Sequence, residues 1–314
     1  MVSRESLWYR WARSRRKECP VPTQSKAPPW RVDLALLTVV LLWSLNFVIL
    51  KAALPRFDPL ALAALRFVGI AALFELLLRA RRVEGRIARA DRKAFVLSAL
   101  VGYTLYQGLF ILGLHRGTAF STALMINTGP VWAALILTLC GLERVGRRQW
   151  AGIVLALVGL VLYVGPRLVA RAGGVGDLLA LGAAVSWSCY GILNKPLLER
   201  YGAFYLTTRT FQIGAALFLP FAVPSLFGQN WAGIGAAGWA AVGYSVVFPI
   251  VVAVSLWNWA IGQRGVSRTV VYQYLVPVTS GLLSWVFLGE AFGPAKLVGA
   301  AAVLAGVALS RKAT

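Results

Sequence analysis

The chain has 314 residues, of which 59% are hydrophobic and 14% are charged, and Lys and Arg outnumber Asp and Glu by 32 to 11. A net charge of +21 would by itself suggest a nucleic-acid-binding protein. The mean hydropathy of +0.70 excludes a soluble domain or a disordered chain, since soluble proteins carry about 25% charged residues. The composition therefore predicts an integral membrane protein that binds no nucleic acid.

Ten apolar runs follow one another along the chain, and a membrane-spanning helix needs about 20 such residues. They lack the strict alternation of polar and apolar residues that is typical of membrane strands. We therefore predict an all-α membrane protein with ten transmembrane helices, of which the fifth and tenth are short. The predicted spans are 34–53, 59–78, 95–114, 118–140, 150–166, 176–194, 203–224, 236–258, 269–288 and 294–310.

Residues 1–32 precede the first span and have no apolar run of the kind found in a cleavable signal peptide. We predict a basic cytoplasmic segment, with a membrane-surface segment as the alternative. With this end inside, 24 Lys and Arg residues lie in the inner segments, and 6 lie in the outer loops or at the outer ends of the spans. The positive-inside rule then predicts that both termini are cytoplasmic. A bacterial inner membrane is assumed.

The two halves of the chain repeat the same residue types at nearly constant spacing. WSLNFVILK at 43–51 matches WSCYGILNK at 187–195, and RG at 116–117 matches RG at 264–265. Arg66 corresponds to Arg209, and five residues recur 147 positions later: Pro130, Glu143, Gly146, Gly152 and Gly159. Each half has an odd number of predicted spans, so the second half enters the membrane from the opposite side. The predicted repeats, 34–166 and 176–310, therefore have the inverted topology that is common in secondary transporters.

These motifs resemble those of the drug/metabolite transporter superfamily, specifically its ten-span EamA-type exporters. The resemblance rests on WSLNFVILK, on ALRF at 64–67 and on GLERVGRRQWAGIVLALVGLVL at 141–162. The second copy contributes YLVPVTSGLLSWVFLGE at 274–290. The resemblance covers residues 34–310 and implies an exporter of small metabolites, amino acids or amphipathic drugs.

Aromatic and neutral polar side chains recur in the middle of the predicted spans. Trp43 and Asn46 lie one turn apart in the first span, and Trp187 and Tyr190 take the same places in the sixth. Since inverted repeats place substrate sites near the membrane centre, we predict an aromatic-walled cavity for small amphipathic, zwitterionic or weakly charged solutes. The alternative is that these residues mark the lipid interface or join helices. The predicted substrate-binding residues are Trp43, Asn46, Tyr103, Gln107, Asn127, Trp187, Tyr190, Trp257 and Gln273.

A second set of residues is predicted to have structural or gating roles. Arg66 and Arg209 are expected to share one role, such as bonding carbonyls at an unwound helix end, with substrate contact as the alternative. Glu143 and Glu290 precede their helices, where a carboxylate suits the positive end of the helix dipole. Pro130 and Pro277 each remove a helix hydrogen bond. The set is Arg66, Arg209, Pro130, Pro277, Glu143 and Glu290.

Two further contacts follow from helical spacing. Glu75 lies four residues before Arg79, which predicts an ion pair within one helix. The glycines of the fifth and tenth spans are expected to face another helix closely, so they either pack the two halves together or form a dimer seam. These glycines are Gly152, Gly159, Gly299 and Gly306.

Three classes of function remain: a transporter working by alternating access, a membrane-embedded enzyme acting on lipid, and a passive channel. The chain has a single histidine, His115, and three scattered cysteines, so it predicts no catalytic cluster, metal site or cofactor. No carboxylate lies near the middle of a predicted span, which argues against obligatory proton antiport. We therefore predict a transporter whose partners are a small-molecule substrate and membrane lipid, with a homodimer left open.

Overall fold

The fold is described from a computed structural model that covers residues 27–83, 85–140, 146–169, 174–264, 269, 271–291 and 293–310. Glu143 and most of the basic segment 1–32 lie outside these ranges. Within them the chain is helical and has no strand. The α-helices are α1 Pro29–Ala53, α2 Pro59–Ala80, α3 Arg92–Ala99, α4 Tyr106–Arg116, α5 Ala119–Ile126, α6 Gly129–Leu139, α7 Arg147–Val169, α8 Gly174–Tyr201, α9 Ala203–Gly228, α10 Gly235–Val246, α11 Ala253–Arg264, α12 Leu275–Leu288 and α13 Pro294–Ser310.

The helices confirm an all-α membrane protein. Seven helical stretches are long and apolar enough to cross a membrane, and Leu275–Leu288 and Leu297–Leu309 are shorter apolar helices. The ten-span count and the inverted topology stay predictions. The seven stretches are Pro29–Arg56, Pro59–Ala80, Arg89–Arg116, Ala119–Leu139, Gly174–Asn194, Ala203–Gly228 and Gly235–Trp257.

Two predicted runs are interrupted by a turn or a 3₁₀-helix. The run 118–140 forms α5 and α6, which are separated by a turn at Asn127 and Thr128. The later run 269–288 contains a 3₁₀-helix, Val271–Tyr274, before α12 begins. A hydropathy analysis of the sequence does not reveal either interruption, because both lie within continuous apolar sequence.

Local side-chain contacts explain where α2 and α5 begin. Asp58 Oδ1 accepts from the backbone nitrogens of Leu60 at 2.9 Å and Ala61 at 3.3 Å, which satisfies two free N–H groups at the start of α2. At α5, Thr118 Oγ1 accepts from the Ser121 nitrogen at 3.0 Å, and Ser121 Oγ accepts from the Thr118 nitrogen at 3.1 Å. This reciprocal arrangement is a capping box.

A π-helix interrupts each half at the same place. The first, Leu100–Leu105, joins α3 to α4, and the second, Val247–Val252, joins α10 to α11. They start 147 residues apart, which is the spacing of the sequence repeat. Such π-helical segments are rare and often lie at functional sites. Here Val101 O accepts from Ser186 Oγ at 2.6 Å, and Pro249 O accepts from Trp43 Nε1 at 3.0 Å.

Helices of each half pack against helices of the other half. Helix α1 packs against α11 and α12 of the second half, and α8 packs against α4 and α6 of the first. Helix α2 packs against α9, where Phe67 contacts Phe211 and Phe218 with ring centroids 4.9 and 5.2 Å apart. The hydrophobic core therefore lies between the halves.

Helices α7 and α13 form the closest contact between the halves. A Cβ atom on Gly159 would lie 2.6 Å from the Val303 nitrogen, and one on Gly306 would collide with the backbone of Ala156. These two glycines therefore allow α7 and α13 to approach along their backbones. The predicted close approach is confirmed for Gly159 and Gly306, and it packs the two halves together within one chain.

Candidate functional site

In each half, a serine of the first helix donates a hydrogen bond to a backbone carbonyl of the other half. In both cases the residue that carries this carbonyl directly precedes a proline, Pro130 or Pro277. Ser188 Oγ donates to Gly129 O at 2.8 Å, directly before Pro130, and Ser44 Oγ donates to Val276 O at 3.2 Å, directly before Pro277. Pro130 lies in the first turn of α6 and so does not kink it, because its missing N–H would be free there in any case. Pro277 is buried and is the third residue of α12, so it too lies in the first turn of its helix.

The first of two aromatic groups surrounds Trp187. The hydroxyls of Tyr103 and Tyr190 share a 2.9 Å hydrogen bond, and the Tyr190 hydroxyl lies 3.5 Å from Thr210 Oγ1. The Trp187 ring contacts Tyr190 at 4.9 Å, Tyr106 at 5.0 Å and Tyr103 at 6.4 Å between centroids. Trp187 keeps 42% of its surface exposed while the two bonded tyrosines are buried. The group therefore extends from the buried tyrosines to the protein surface at Trp187.

The second aromatic group joins α1 to α11. The rings of Trp43 and Trp257 lie 5.2 Å apart, and the Trp43 indole donates to the second π-helix at Pro249. Tyr244 adds a hydrogen bond of 3.0 Å from its hydroxyl to Leu42 O. Five predicted binding residues therefore fall into two groups, each built where the first helix of one half meets the other half.

The four predicted amide residues have different surroundings. Asn127 Nδ2 donates to Ala123 O in its own helix at 2.9 Å, and Gln273 lies half-buried in the 3₁₀-helix before α12. Asn46 and Gln107 are buried, with 9% and 6% of their surfaces exposed. Asn46 Oδ1 and Gln107 Nε2 have no hydrogen-bond partner among the described residues. Both atoms are enclosed by protein.

Arg66 and Arg209 do not share a role, although the repeat predicts one. Arg209 Nη1 bonds Glu75 Oε2 at 3.1 Å and Gln212 Oε1 at 2.8 Å, and thereby ties α9 to α2. Arg66 Nε instead donates to Ser245 Oγ at 3.1 Å, so it bonds a hydroxyl where a carbonyl was expected. The predicted pair of Glu75 with Arg79 is confirmed at 2.9 Å.

Glu290 caps a helix, but not the one that follows it in sequence. Its carboxylate accepts from the backbone nitrogens of Ala119 at 2.8 Å and Phe120 at 3.4 Å, at the start of α5. The assignment to α13 is therefore wrong, because the chain folds the residue back onto the other half. Nearby, Lys51 Nζ donates to the carbonyls of Leu114 and His115 at the end of α4, both at 2.9 Å.

Sequence reasoning missed Ser44 and Ser188, which join the two halves, and Lys51, which ties α1 to the end of α4 within the first half. A signal was present, because Ser44 and Lys51 both recur in the repeated WS…K segment with Ser188 and Lys195. In contrast, nothing local to Glu290 or Ser245 reveals their distant partners.

The structure also has a groove of about 520 Å³ that lies away from these residues. It is lined by Arg31, Leu34, Ala35, Thr38, Leu256 and Trp259, near the N-terminal end of α1. None of the nine predicted binding residues lines it. Leu34 is 58% exposed, so the groove belongs to the outer surface of the helix bundle.

The predicted site residues and their neighbours offer aromatic faces, hydroxyls, amides and the buried guanidinium of Arg66. The described part of the chain contains no cluster of His, Cys, Asp and Glu that could hold a metal ion.

Comparisons with known proteins agree with this picture. The model of the EamA-like transporter family matches residues 30–165 and again residues 174–311. An uncharacterized transporter of Archaeoglobus fulgidus is 27% identical and aligns over 89% of this chain and 97% of its own length. One solved structure, described only as the crystal structure of a protein, matches with a TM-score of 0.61 and 23% identity over 90% of this chain and 98% of that one. That likeness concerns the fold.

Two relatives have names that mention a substrate. The "Probable amino-acid metabolite efflux pump" of Salmonella typhimurium is 28% identical over 87% of this chain and 92% of its own length. The "Probable terminal-alkyne amino-acid exporter" of Streptantibioticus cattleyicolor is 28% identical over 89% of this chain and 93% of its own.

Proposed function

Because this chain belongs to the EamA-like transporter family, within the drug/metabolite transporter superfamily, we propose that it exports small amphipathic solutes by alternating access between its two halves. It is a multi-pass membrane transporter and not an enzyme, since its relatives are named as transporters.

The observation that carries the mechanism is the pair of crossed serine contacts. Ser44 reaches Val276 and Ser188 reaches Gly129, and the two donors and two acceptors are related by nearly the same sequence offset. The two π-helices repeat with that offset as well. Such correspondence supports two halves of like structure, between which a central site can open to either side. The double family match at 30–165 and 174–311 supports the same division.

The site residues support the class of solute. Trp187 with Tyr103 and Tyr190 forms one aromatic wall, and Trp43 with Trp257 forms the other. Flat rings and neutral hydrogen-bonding groups suit small amphipathic or zwitterionic molecules. The names of the Salmonella and Streptantibioticus relatives, which mention amino acids, support the same class.

We further propose a bacterial inner membrane with residues 1–32 and both termini in the cytoplasm, on the basis of the Lys and Arg distribution. Lipid surrounds the exposed apolar side chains, of which Phe227 at 88% and Leu139 at 77% are examples. A homodimer would need a face other than the Gly159 and Gly306 contact, which α7 and α13 already use.

Flux through the purified protein in proteoliposomes tests this proposal. Asn46→Ala and Trp187→Ala should reduce saturable solute flux several-fold while the folded fraction stays near that of the wild type. Trp239→Ala is the matched control, because Trp239 is 47% exposed and contacts Phe57 and Trp231 away from the site. Loss of folded protein with unchanged flux per folded molecule would show that Asn46 and Trp187 only pack helices. Flux that never saturates would favour a channel.

A further inference from the structure

The groove on the outer surface of the helix bundle is formed by two helices from different halves of the chain. It has a volume of about 520 Å³ and lies between α1 and α11. The α1 residues that line it are spaced three or four positions apart and therefore share one face of the helix. They are Arg31, Leu34, Ala35 and Thr38, and α11 contributes Leu256 and Trp259.

The two helices pack closely beneath this groove. Val32, Leu36 and Ala260 are buried and form one hydrophobic cluster between α1 and α11. Just before α1 begins, the Ala27 nitrogen donates to Gln263 Oε1 near the end of α11 at 2.8 Å. An occupant of the groove would therefore lie on the outside of the bundle, where lipid surrounds the protein, and would touch both halves.

Arg31 is the charged side chain of the groove. It is exposed, and its guanidinium lies 5.3 Å from the centroid of the Trp30 ring. The ion pairs formed by the described residues do not include it. The carboxylate of Asp33, two residues away, accepts a hydrogen bond from the Tyr272 hydroxyl. Since residues two apart face different sides of a helix, Asp33 does not neutralise Arg31 in the groove.

Below Arg31 the same side of α1 is apolar over the depth of one leaflet. Thr38 Oγ1 donates to Leu34 O at 2.9 Å, so its hydrogen bond is made within the helix. Leu34 and Leu41 are large apolar side chains exposed at the surface. The ten residues from Arg31 to Leu41 rise about 15 Å, which is half of a hydrocarbon core about 30 Å thick. The groove thus offers a cation at one end and an apolar wall as long as an acyl chain.

The surrounding sequence places Arg31 at the level of the lipid headgroups. Trp30 is 61% exposed, and tryptophan is enriched at the boundary between membrane and water. Seven of residues 1–26 are Lys or Arg and two are Glu, so this end of α1 attracts anions. The same charge disfavours residues 1–26 as the occupant of the groove, because they would bring like charge to Arg31.

We propose that this groove binds one acidic phospholipid. Its phosphate accepts hydrogen bonds from the Arg31 guanidinium, since this pairing is charge-assisted, and an acyl chain lies along Leu34 and Ala35 against Trp259. Basic pockets between membrane helices on the cytoplasmic side suit acidic headgroups. A zwitterionic headgroup is less favoured, because its ammonium group would meet the positive charge of Arg31. The inference goes beyond the proposed transport function, and only the choice of leaflet depends on the proposed orientation.

Native mass spectrometry of the full chain with two lipids of identical chains tests the headgroup. We expect the first dioleoyl phosphatidylglycerol to bind at least fivefold more tightly than the first dioleoyl phosphatidylethanolamine. Arg31→Gln should weaken binding of the phosphatidylglycerol about fivefold, which is the effect of one basic side chain at an anionic lipid surface. It should change binding of the phosphatidylethanolamine less than twofold. Arg56→Gln is the matched control, because Arg56 is also exposed and lies just beyond the other end of α1; it should change neither affinity.

A second variant tests the apolar part of the groove. Ala35→Trp fills the space beside a half-buried residue of α1 without changing the charge. It should weaken binding of both lipids at least threefold, because the acyl chain loses its place. If Ala35→Trp does not fold, Thr38→Trp fills the same face one turn further along the helix and should have the same effect.

Several results would overturn the proposal. These are an unchanged affinity of Arg31→Gln for phosphatidylglycerol, an equal loss in Arg56→Gln, and unchanged lipid binding in the groove-filling variant that folds. A protein dimer that forms without lipid and disappears in Ala35→Trp would assign the groove to a second copy of the chain. Faster cleavage of residues 1–26 by trypsin in Ala35→Trp would assign it to that segment. None of these results bears on the proposed transport function, which the flux measurements test separately.

Discussion

The Ser44 hydroxyl donates a hydrogen bond to the Val276 carbonyl, 232 residues away in sequence, across a distance of 3.2 Å. Ser44 is completely buried, and Val276 directly precedes the proline of α12. The contact therefore joins the first helix of one half to the proline-containing helix of the other. The equivalent contact of Ser188 with Gly129 joins the halves in the reverse direction.

Ser44→Ala and Ser188→Ala should each lower the free energy of unfolding in mixed micelles by about 0.6–2 kcal/mol, because a buried carbonyl loses its donor. Ser225→Ala, at a half-buried position of α9, provides the control. Thermal unfolding followed by circular dichroism measures the difference. If both variants are as stable as the control, the two serine contacts do not contribute to the stability of the protein.

Gly306→Ala should destabilise the protein by about 1–3 kcal/mol, because the new methyl group would collide with the Ala156 backbone. Gly243→Ala is the matched control: a Cβ there meets no heavy atom within 4 Å, so the change should be neutral or slightly stabilising. Retention of folded protein after heating in detergent gives the comparison. Similar behaviour of the two variants would disprove the close contact of α7 with α13.

Glu75→Ala should destabilise the protein more than Arg79→Ala does, because Arg209 and Gln212 lose a shared acceptor that ties α9 to α2. Arg79→Ala should change stability by less than about 0.5 kcal/mol, since its pair with Glu75 is a surface contact within one helix. Denaturant titration of both variants measures the two effects. A larger loss of stability for Arg79→Ala than for Glu75→Ala would contradict the stabilising role of the contacts between Glu75 and α9.

Glu290→Ala should destabilise the protein by about 0.5–2 kcal/mol through the loss of the acceptor at the start of α5. Glu290→Gln keeps one oxygen for the Ala119 nitrogen and should lose less. The same unfolding measurement distinguishes the two substitutions. Equal losses would indicate that the negative charge, and not the hydrogen bond, stabilises the helix end.

Both termini should lie in the cytoplasm, because Lys and Arg are concentrated in the predicted inner segments. A reporter enzyme that is active only outside the inner membrane, fused after Thr314, should be silent, whereas the same reporter inserted in the 229–234 loop should be active. Activity at the C-terminus would contradict either the ten-span count or the orientation.

Hydropathy located the helices well, because lipid imposes long apolar runs on any segment that crosses it. Helix α13 begins and ends at the predicted residues 294 and 310. The interruptions were not predictable in this way. The turn at Asn127 and Thr128 and both π-helices depend on hydrogen bonds from distant side chains, such as Ser188 to Gly129 and Trp43 to Pro249.

The repeat was informative about the site only in part. It paired Trp43 with Trp187 correctly as members of equivalent helices, yet each tryptophan joins a separate aromatic group. It also suggested one role for Arg66 and Arg209. Their contacts differ because Arg209 faces a carboxylate, that of Glu75, and, among the described residues, Arg66 does not. Partners that come from other helices are set by packing, and a single sequence does not encode that packing in any local pattern.

The contact of α7 with α13 provides a fixed frame for measuring motion. Two helices that touch through their backbones at Gly159 and Gly306 cannot slide without a collision. Spin labels at Val161 and Val298, which are 68% and 62% exposed on these helices, should therefore keep one narrow distance distribution in every transport state. Distances from either label to α2 or α9 would then report the movement of those helices against a constant reference.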